Sequence, residues 1–234
     1  MNRDRTATLL LAAFAAVSFV HLAALLAGAD LLGQATKPAL MPLLAAWAAV
    51  RGGPRALVVA LLFGWGGDTL LQVGGEVPFL AGMGCFAAGH VCYVVMFVRR
   101  GAFADRRRAL AVTAGYAAAW ATVVTLLWPD LGDLRFPVAV YSLLLTATAV
   151  TGAGVGAAAG LGGALFLLSD TLIATGLADW PQLPAPQFWI MLTYIAAQYL
   201  LARSLVGRAD GERSPEPQAG LPRTDPEREG ATGA

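Results

Sequence analysis

Apolar residues along the chain gather into eight long runs that short polar connections separate. We assign these runs to residues 7–27, 37–50, 56–73, 79–98, 109–128, 136–151, 157–176 and 187–206. A helix needs about 20 apolar residues to cross a bilayer core of roughly 30 Å, and most of the runs approach that length. The first run lacks a clear small-residue cleavage pattern, so we interpret it as a retained helix. The pattern predicts an all-α fold, a polytopic membrane bundle of eight transmembrane helices within residues 1–206.

Composition supports the membrane assignment and separates the end of the chain from the rest. Of the 234 residues, 57% are hydrophobic and only 13% are charged, and the mean hydropathy is +0.63. Residues 207–234, by contrast, hold four of the 16 basic and six of the 15 acidic side chains. Such a polar segment, rich in Gly and Pro, cannot bury enough apolar surface to fold. We therefore predict a disordered cytoplasmic tail over residues 207–234.

Arginines occupy alternate connections between the predicted helices. The basic connections carry Arg3, Arg5, Arg51, Arg55, Arg99, Arg100, Arg106, Arg107, Arg108, Arg203 and Arg208. Because Lys and Arg are retained on the cytoplasmic side, this distribution predicts that both termini are cytoplasmic. The many Ala, Gly and Arg residues favour a bacterial cell membrane. A formal net charge of +1 excludes a strongly basic surface, so we expect no nucleic-acid partner.

The cysteines and histidines do not form a recognisable metal-binding pattern. The chain has two of each, and they are scattered, so we expect no metal site and no cofactor. Cys85 and Cys92 lie seven residues apart on one predicted helix. That spacing separates them by about 10 Å along the helix axis, beyond the reach of a disulfide. We expect both to be packing residues.

A glycine-rich stretch, GAGVGA at residues 152–157, matches a dinucleotide-binding pattern. That pattern requires a strand before it and a helix after it, whereas both flanks here are predicted membrane spans. Gly152, Gly156 and Gly160 are better explained as a face of small residues that lets two helices approach closely.

Two aspartates stand in matched apolar settings. Asp68 lies in LLFGWGGDTLL, residues 61–71, and Asp170 lies in ALFLLSDTLIA, residues 164–174. An acid in a membrane helix costs roughly 2.5 to 3.5 kcal/mol on insertion, so such residues usually face a bundle interior and serve a function. The two acids are 102 residues apart, in the third and seventh spans, which therefore run in the same direction. This arrangement predicts a parallel 4+4 internal repeat.

Four further polar residues are expected near the same depth as the two acids. Lys37 and Tyr141 lie near the outer starts of spans two and six, and His90 and Gln198 lie near the middle of spans four and eight. All are compatible with one polar pocket in the outer half of the bilayer. The alternative, in which each makes a separate interhelical hydrogen bond worth roughly 0.6 kcal/mol, remains open.

Six stretches of the apolar region carry these polar residues in a specific order. They are TKPALMPLLAAW (36–47), LLFGWGGDTLL (61–71), FLAGMGCFAAGHVCYVV (79–95), VAVYSLLL (138–145), ALFLLSDTLIA (164–174) and MLTYIAAQYLLARSL (191–205). Together they resemble the YhhN family, whose animal members are the TMEM86 lysoplasmalogenases. The resemblance implies hydrolysis of the vinyl ether bond of lysoplasmalogens, which releases a fatty aldehyde and a glycerophospho-headgroup. The implied partners are a lysophospholipid substrate and membrane lipid.

The resemblance also implies which residues form the site. The family's motif positions fall on Lys37, Asp68, His90, Tyr141, Ser169, Asp170, Tyr194 and Gln198. Protonation of an enol ether carbon gives an oxocarbenium ion, a task similar to the one that two carboxyl groups perform in glycoside hydrolysis. We therefore expect Asp68 and Asp170 to be the acid/base pair, without assigning which one protonates carbon.

The remaining site residues are expected to bind substrate. His90 would tune the shared proton or contact the glycerol, and Tyr141, Ser169, Tyr194 and Gln198 would orient substrate or water. Lys37, beside Pro38 at the expected start of a helix, would receive the phosphate through its charge and the helix N-terminus. The alternative function is a proton-coupled transporter of a small or lipid-like substrate, because acids near the membrane midplane also relay protons.

Overall fold

The computed structural model describes residues 2–206 and is helical through most of that range. Its elements are α1 (Arg3–Ala27), α2 (Asp30–Val50), α3 (Arg55–Val73), α4 (Glu76–Arg99), α5 (Arg106–Leu127), α6 (Arg135–Val155), α7 (Ala157–Leu177) and α8 (Pro186–Val206), with a short 3-10 helix, Gly132–Leu134, before α6. The predicted all-α bundle of eight helices is confirmed over these residues. The tail predicted for residues 207–234 lies outside the described part of the chain.

Short connections make successive helices antiparallel, so the bundle has two distinct ends. The shortest connection is the single residue Gly156 between α6 and α7. We call the end that carries residues 28–29, 74–75, 128–134 and 178–185 the cavity end. The opposite end, which carries residues 51–54, 100–105 and 156, is called the closed end. The closed end also holds most of the arginines of the described residues, as the positive-inside distribution predicts for a cytoplasmic face.

Seven of the eight helices are long and apolar enough to cross a membrane, and the chain is an integral membrane protein. The helix that does not meet this criterion is α2, because its first two turns contain Asp30, Gln34 and Lys37. Packing compensates for this polarity, since α2 lies between α1 and α3. Membrane helices that are not apolar enough alone are stabilised by such neighbours.

The start of α2 differs from the sequence prediction. Residues 37–50 were expected to form the second span, with Lys37 at its start, whereas α2 begins at Asp30 and Lys37 is two turns inside it. Pro38 suggested a helix start because proline favours the first turn. Inside a helix, proline leaves the carbonyl four residues earlier without its usual donor. Here that carbonyl belongs to Gln34 and accepts a hydrogen bond from Gln72 Nε2 of α3 at 3.1 Å.

Small residues bring α6 and α7 into backbone contact. A Cβ atom added to Gly152 would lie 2.7 Å from the carbonyl oxygen of Ala159, and one added to Gly163 would lie 2.5 Å from Ala149 Cα. Both distances are shorter than real Cβ contacts, so only glycine permits this approach. The predicted small-residue face is confirmed at Gly152 but is wrong at Gly156, which ends α6 and has no atom within 4 Å of an added Cβ.

The closed end is filled by a dense apolar core. Its fully buried side chains include Leu44, Leu57, Leu61, Phe97, Leu201 and Leu205. Arg100 closes this end by donating from Nη1 to the carbonyl of Ser204 at 2.9 Å and from Nη2 to that of Leu205 at 2.6 Å. Cations at a helix C-terminus satisfy carbonyls that lack helical partners. The end of α8 is thereby tied to the α4–α5 connection.

The 4+4 repeat remains a prediction. Two contacts are consistent with it: α4 packs against α6, and α8 packs against α2. If the halves correspond, α2, α3 and α4 match α6, α7 and α8, so these two contacts are equivalent. A parallel repeat about an axis along the membrane normal would produce such a pair.

Candidate active site

A cavity of about 140 Å³ opens inside the cavity end of the bundle. It is lined by residues of seven helices, from α2 to α8, and most of its wall is apolar. The polar side chains of the wall are Lys37, Asp68, Trp120, Tyr141, Ser142, Ser169, Asp170, Thr171 and Tyr194. An apolar pocket that contains a small number of polar groups is typical of a site that orients a largely apolar ligand.

Asp68 occupies the part of the cavity between α2, α3 and α8. Only 3% of the residue is exposed. Its Oδ1 atom lies 3.5 Å from Nζ of Lys37, and its Oδ2 atom accepts a hydrogen bond from the Tyr194 hydroxyl at 2.7 Å. Both carboxyl oxygens therefore have a partner, and one partner is a cation. A buried carboxylate is stable only with such partners.

Asp170 has fewer partners than Asp68. Its Oδ2 atom accepts a hydrogen bond from the Tyr141 hydroxyl at 2.5 Å. Its Oδ1 atom makes no hydrogen bond with the described residues, and the residue is only partly buried. The preceding residue, Ser169, donates instead to the carbonyl oxygen of Ile190 at 3.0 Å and so joins α7 to α8. One oxygen of Asp170 thus remains available to a ligand in the cavity.

The two carboxyl groups face one cavity but bind different tyrosines. Both Asp68 and Asp170 line the same pocket. They are close enough for their charges to interact, yet among residues 2–206 no hydrogen bond joins them directly. Because both carboxyls line one cavity, a substrate group that enters it can contact both, as acid/base catalysis by two carboxyls requires.

A chain of buried hydrogen bonds leads from the interior of the bundle to Asp68. The Tyr93 hydroxyl donates to Oε1 of Gln198 at 2.8 Å. Nε2 of Gln198 then donates to the Tyr194 hydroxyl oxygen at 3.4 Å, and Tyr194 donates to Asp68. Gly64 leaves room for these groups, because an added Cβ would lie 3.0 Å from Gln198 Nε2.

Aromatic rings hold Tyr194 in place beside Asp68. The rings of Phe86, Phe166 and Tyr194 contact one another edge to face, with centroids 5.4 to 6.2 Å apart. Such edge-to-face pairs are worth roughly 0.5 to 1.5 kcal/mol each beyond their buried area. Phe86 can approach α3 because Gly67 has no side chain: an added Cβ would lie 2.6 Å from the ring. The glycine before Asp68 thus positions the tyrosine that binds it.

Six of the eight residues expected at the site line the cavity, and two do not. Those present in its wall are Lys37, Asp68, Tyr141, Ser169, Asp170 and Tyr194. His90 and Gln198 lie behind the wall, where they pack with Tyr93 and Phe166, and Phe86 borders both this group and the cavity. A position near the middle of a span does indicate depth, but it does not indicate whether aromatic rings cover the residue.

Lys37 lies in the cavity wall for a reason that differs from the expected one. Because α2 begins at Asp30, the N-terminus of α2 is seven residues from Lys37 and cannot act on the same anion. Lys37 instead extends from the second turn of α2 to Asp68. The expectation that a helix N-terminus assists Lys37 is wrong, and the ammonium charge alone remains.

His90 makes an interhelical contact rather than a contact with the cavity. Its Nδ1 atom lies 2.9 Å from the Thr148 hydroxyl of α6, and its ring lies edge to face with Phe166 at 4.3 Å between centroids. Its Nε2 atom is buried and has no partner among the described residues. The cavity wall does not include His90, so a direct contact with substrate would require the side chains of the wall to move.

One part of the wall was not identified from the sequence. Trp120 of α5 donates from Nε1 to the Ser142 hydroxyl of α6 at 2.9 Å, and both residues line the cavity. Trp120 lies in the middle of a span, whereas tryptophans in membrane proteins are usually found at the span ends. That position is the signal that could have indicated it. Its helix, α5, packs chiefly against α6 and has only one buried residue, Leu127.

Metal-binding side chains do not cluster in the described part of the chain. No group of three or more His, Cys, Asp or Glu side chains there could hold an ion. Cys85 and Cys92 are free thiols. The chemistry that the described cavity offers is that of two carboxyls, two tyrosines and one lysine.

Comparison with known proteins places the chain in a family. The YhhN family model matches residues 32–205, which include all six of the expected site residues that line the cavity. The human protein lysoplasmalogenase TMEM86B is 35% identical over 142 residues. That alignment covers 60% of this chain and 57% of the human protein, so the chain spans somewhat more than half of that relative. No solved structure matches the chain. The family model covers most of the eight-helix bundle, and the chain therefore belongs to the YhhN family.

Proposed function

We propose that this protein hydrolyses the vinyl ether bond of lysoplasmalogens to a fatty aldehyde and a glycerophospho-headgroup. The observation that carries the proposal is the placement of two aspartates in one largely apolar cavity, Asp68 with a lysine beside it and Asp170 with a free oxygen. The name of the human relative, a lysoplasmalogenase, supports the same substrate class.

The chemistry of a vinyl ether suits this pair of acids. The slow step is transfer of a proton to the β-carbon, which leaves a positive charge shared by the α-carbon and the ether oxygen. A carboxylate nearby stabilises that charge, and a water molecule then attacks the α-carbon. General acid catalysis of this kind contributes typically 10² to 10⁴ in rate. Both carboxyls of the cavity have roles in such a reaction.

The shape and lining of the cavity support a lipid substrate. Its wall beyond the aspartates consists mainly of Leu, Val, Ala, Ile, Met and Phe side chains from α4 to α8, against which an alkenyl chain can pack. The Lys37 ammonium has three N–H donors and is 17% exposed, so it can bind Asp68 and a phosphate oxygen together. We assign Tyr141, Ser169 and Tyr194 to positioning of the substrate and the carboxyls.

An enzyme is favoured over a transporter because the cavity is confined to one end. Transport requires that a site reach both faces of the membrane in turn. Beyond Tyr93 and Gln198 the closed end is packed with leucines and Phe97, and over residues 2–206 the cavity does not extend through them. We place the protein in a bacterial cell membrane with the closed end at the cytoplasm, as the arginine distribution predicts.

A panel of lysolipids tests the proposed function. Purified protein in detergent is incubated with lysolipids that share one headgroup and carry a vinyl ether, an alkyl ether or an ester at the same position. We expect fatty aldehyde from the vinyl ether lipid alone, detected by mass spectrometry, because only an enol ether becomes an oxocarbenium ion on protonation. Release of fatty acid from the ester without cleavage of the vinyl ether would instead identify a lysophospholipase.

Chain-length selectivity is expected to depend on α5. Ala119 lines the cavity, so Ala119→Trp should fill part of the space for the alkenyl chain. Loss of contact with two methylene groups is worth about 1.6 kcal/mol, so kcat/KM for a long chain relative to a short one should fall on the order of 10-fold. The ratio is measured with lysoplasmalogens of two chain lengths. Ala117→Trp, on the exposed side of α5, is the control and should leave the ratio unchanged.

A further inference from the structure

The two aspartates of the cavity differ in the number and charge of their partners. Asp68 has a cation on Oδ1 and a hydroxyl donor on Oδ2. Asp170 has a hydroxyl donor on Oδ2, no cation within salt-bridge distance, and no hydrogen bond at Oδ1 among residues 2–206. An ionised carboxylate has only acceptors, whereas a neutral carboxyl has a proton to donate. The surroundings therefore suit opposite states of the two groups.

We propose that Asp68 is the carboxylate of the pair and that Asp170 holds the proton on Oδ1. We further infer that Tyr93 and Gln198 are positioning residues, which act through Tyr194 to hold Asp68 in that state. The part of this proposal that concerns proton delivery rests on the proposed vinyl ether hydrolysis. The assignment of the negative charge to Asp68 and the proton to Asp170 rests only on the contacts of these two residues.

The direction of the hydrogen-bond chain supports the assignment of Asp68. Tyr194 uses its only proton on Asp68, so its oxygen can only accept from Gln198. The amide of Gln198 must then present Nε2 to Tyr194 and Oε1 to Tyr93, which donates to it. Every donor in the chain thus points toward Asp68. Hydrogen bonds aligned in this way polarise one another and favour a negative charge at the acceptor end.

Among the described residues, the charged and titratable side chains that face the two aspartates are one lysine and two tyrosines. Asp68 faces Lys37 of α2, Tyr194 of α8 and, across the cavity, Asp170 of α7. Asp170 faces Tyr141 of α6. With one lysine and one carboxylate the cavity is neutral overall, whereas two carboxylates would leave one uncompensated charge in an apolar site.

The assignment gives each group a step in the reaction. Asp170 Oδ1–H transfers its proton to the β-carbon, where the electron pair of the double bond forms the new C–H bond. The Asp68 carboxylate stabilises the oxocarbenium ion that results. Water adds to the α-carbon and returns a proton to Asp170. The hemiacetal then breaks its C–O bond to glycerol, its hydroxyl proton passes to the glycerol oxygen, and the aldehyde is released.

Infrared spectroscopy tests the charge distribution without any substrate. A protonated carboxyl shows a C=O stretching band, which ionised carboxylates lack, and the band moves to higher frequency when a donor to the C=O oxygen is removed. Tyr141→Phe removes the donor to Asp170, and Tyr194→Phe removes the donor to Asp68, without a change of charge. We expect the band in the wild-type protein at neutral pH, a shift in Tyr141→Phe and no shift in Tyr194→Phe. A shift in Tyr194→Phe alone, or no such band, would overturn the assignment.

Kinetics test the positioning role of Tyr93. Tyr93 does not line the cavity, so Tyr93→Phe should lower kcat about fivefold and leave KM unchanged, since one hydrogen bond is worth about 1 kcal/mol. In a Tyr194→Phe background the same change should have no further effect, because the chain to Asp68 is already broken. A packing role would instead give the same loss in both backgrounds, which would refute the positioning role.

A control variant and the wild-type protein distinguish failure of the positioning role from failure of the proposed function. Tyr199 of α8 packs its ring on Phe14 and Trp47, away from the cavity. Tyr199→Phe removes only the hydroxyl of this residue, and kcat should not change. If the wild-type protein does not cleave vinyl ethers, the proposed function fails. The infrared bands still decide the protonation states in that case.

Discussion

Asp170→Asn is expected to lower aldehyde release from a lysoplasmalogen by about 1,000-fold, because it removes the proton that is transferred to carbon. Asp68→Asn should cause a loss of similar size, since an amide cannot stabilise the oxocarbenium ion as a carboxylate does. Rates are measured by mass spectrometry on protein purified in detergent. Both variants are close in size to the wild-type residue, but Asp68→Asn also leaves Lys37 without its carboxylate, so circular dichroism is used to check that each variant is folded.

Asp133→Asn is the matched control for these two variants. Asp133 belongs to the exposed 3-10 helix between α5 and α6 and does not line the cavity. Its replacement should leave the rate unchanged. Wild-type activity in either Asp68→Asn or Asp170→Asn would show that the pair is not catalytic, even if the protein hydrolyses vinyl ethers.

Gly163→Ala is expected to destabilise the bundle by about 1 to 3 kcal/mol, the usual cost of an extra methyl group in a close-packed interior. The added Cβ would lie 2.5 Å from the backbone of Ala149, so α6 and α7 must move apart. Because Asp170 lies two turns further along α7, this movement should also lower activity. Thermal unfolding in detergent, followed by circular dichroism, measures the effect.

Gly115→Ala provides the comparison for Gly163→Ala. Gly115 lies within α5, and no atom is within 4 Å of its added Cβ. The same substitution there should be neutral or slightly stabilising, because alanine is the better helix former. Equal unfolding temperatures for the two variants would mean that α6 and α7 can separate without cost.

The bundle could be predicted from the sequence because lipid imposes a simple rule on it. A spanning segment must form all its backbone hydrogen bonds internally and remain apolar over about 20 residues. Helices such as α3 and α7 can therefore be recognised as apolar runs in the sequence. The rule fails at α2, where polar residues at 30–37 lie in a helix that packs between neighbours. The preference of proline for a first turn then suggested a start that is seven residues too late.

The site could be predicted in part because an acid inside a membrane is costly. Asp68 and Asp170 are conspicuous on that ground, and both do line one cavity. Depth along a helix does not determine which direction a side chain points or what covers it. The sequence therefore could not distinguish Tyr194, which is in the wall, from Gln198, which lies one turn behind it.

Side-chain contacts between different helices could not be predicted from the sequence pattern. Tyr93 and Gln198 are 105 residues apart, and only the fold brings the hydroxyl to the amide. The pairing of Trp120 with Ser142 likewise depends on the packing of α5 against α6. The pairing itself has no local signature, because the sequence of one helix does not show which residue of another helix it will contact.

The ion pair between Lys37 and Asp68 has a consequence for biogenesis. When α2 leaves the ribosome, its lysine, two turns inside the helix, has no counter-charge and opposes entry into lipid; the cost at the centre of a span is roughly 2.5 to 3.5 kcal/mol. The counter-charge arrives only with α3, the next helix to be synthesised. It follows that α2 and α3 enter the bilayer together as a hairpin, and that α2 alone is a poor substrate for the insertion machinery.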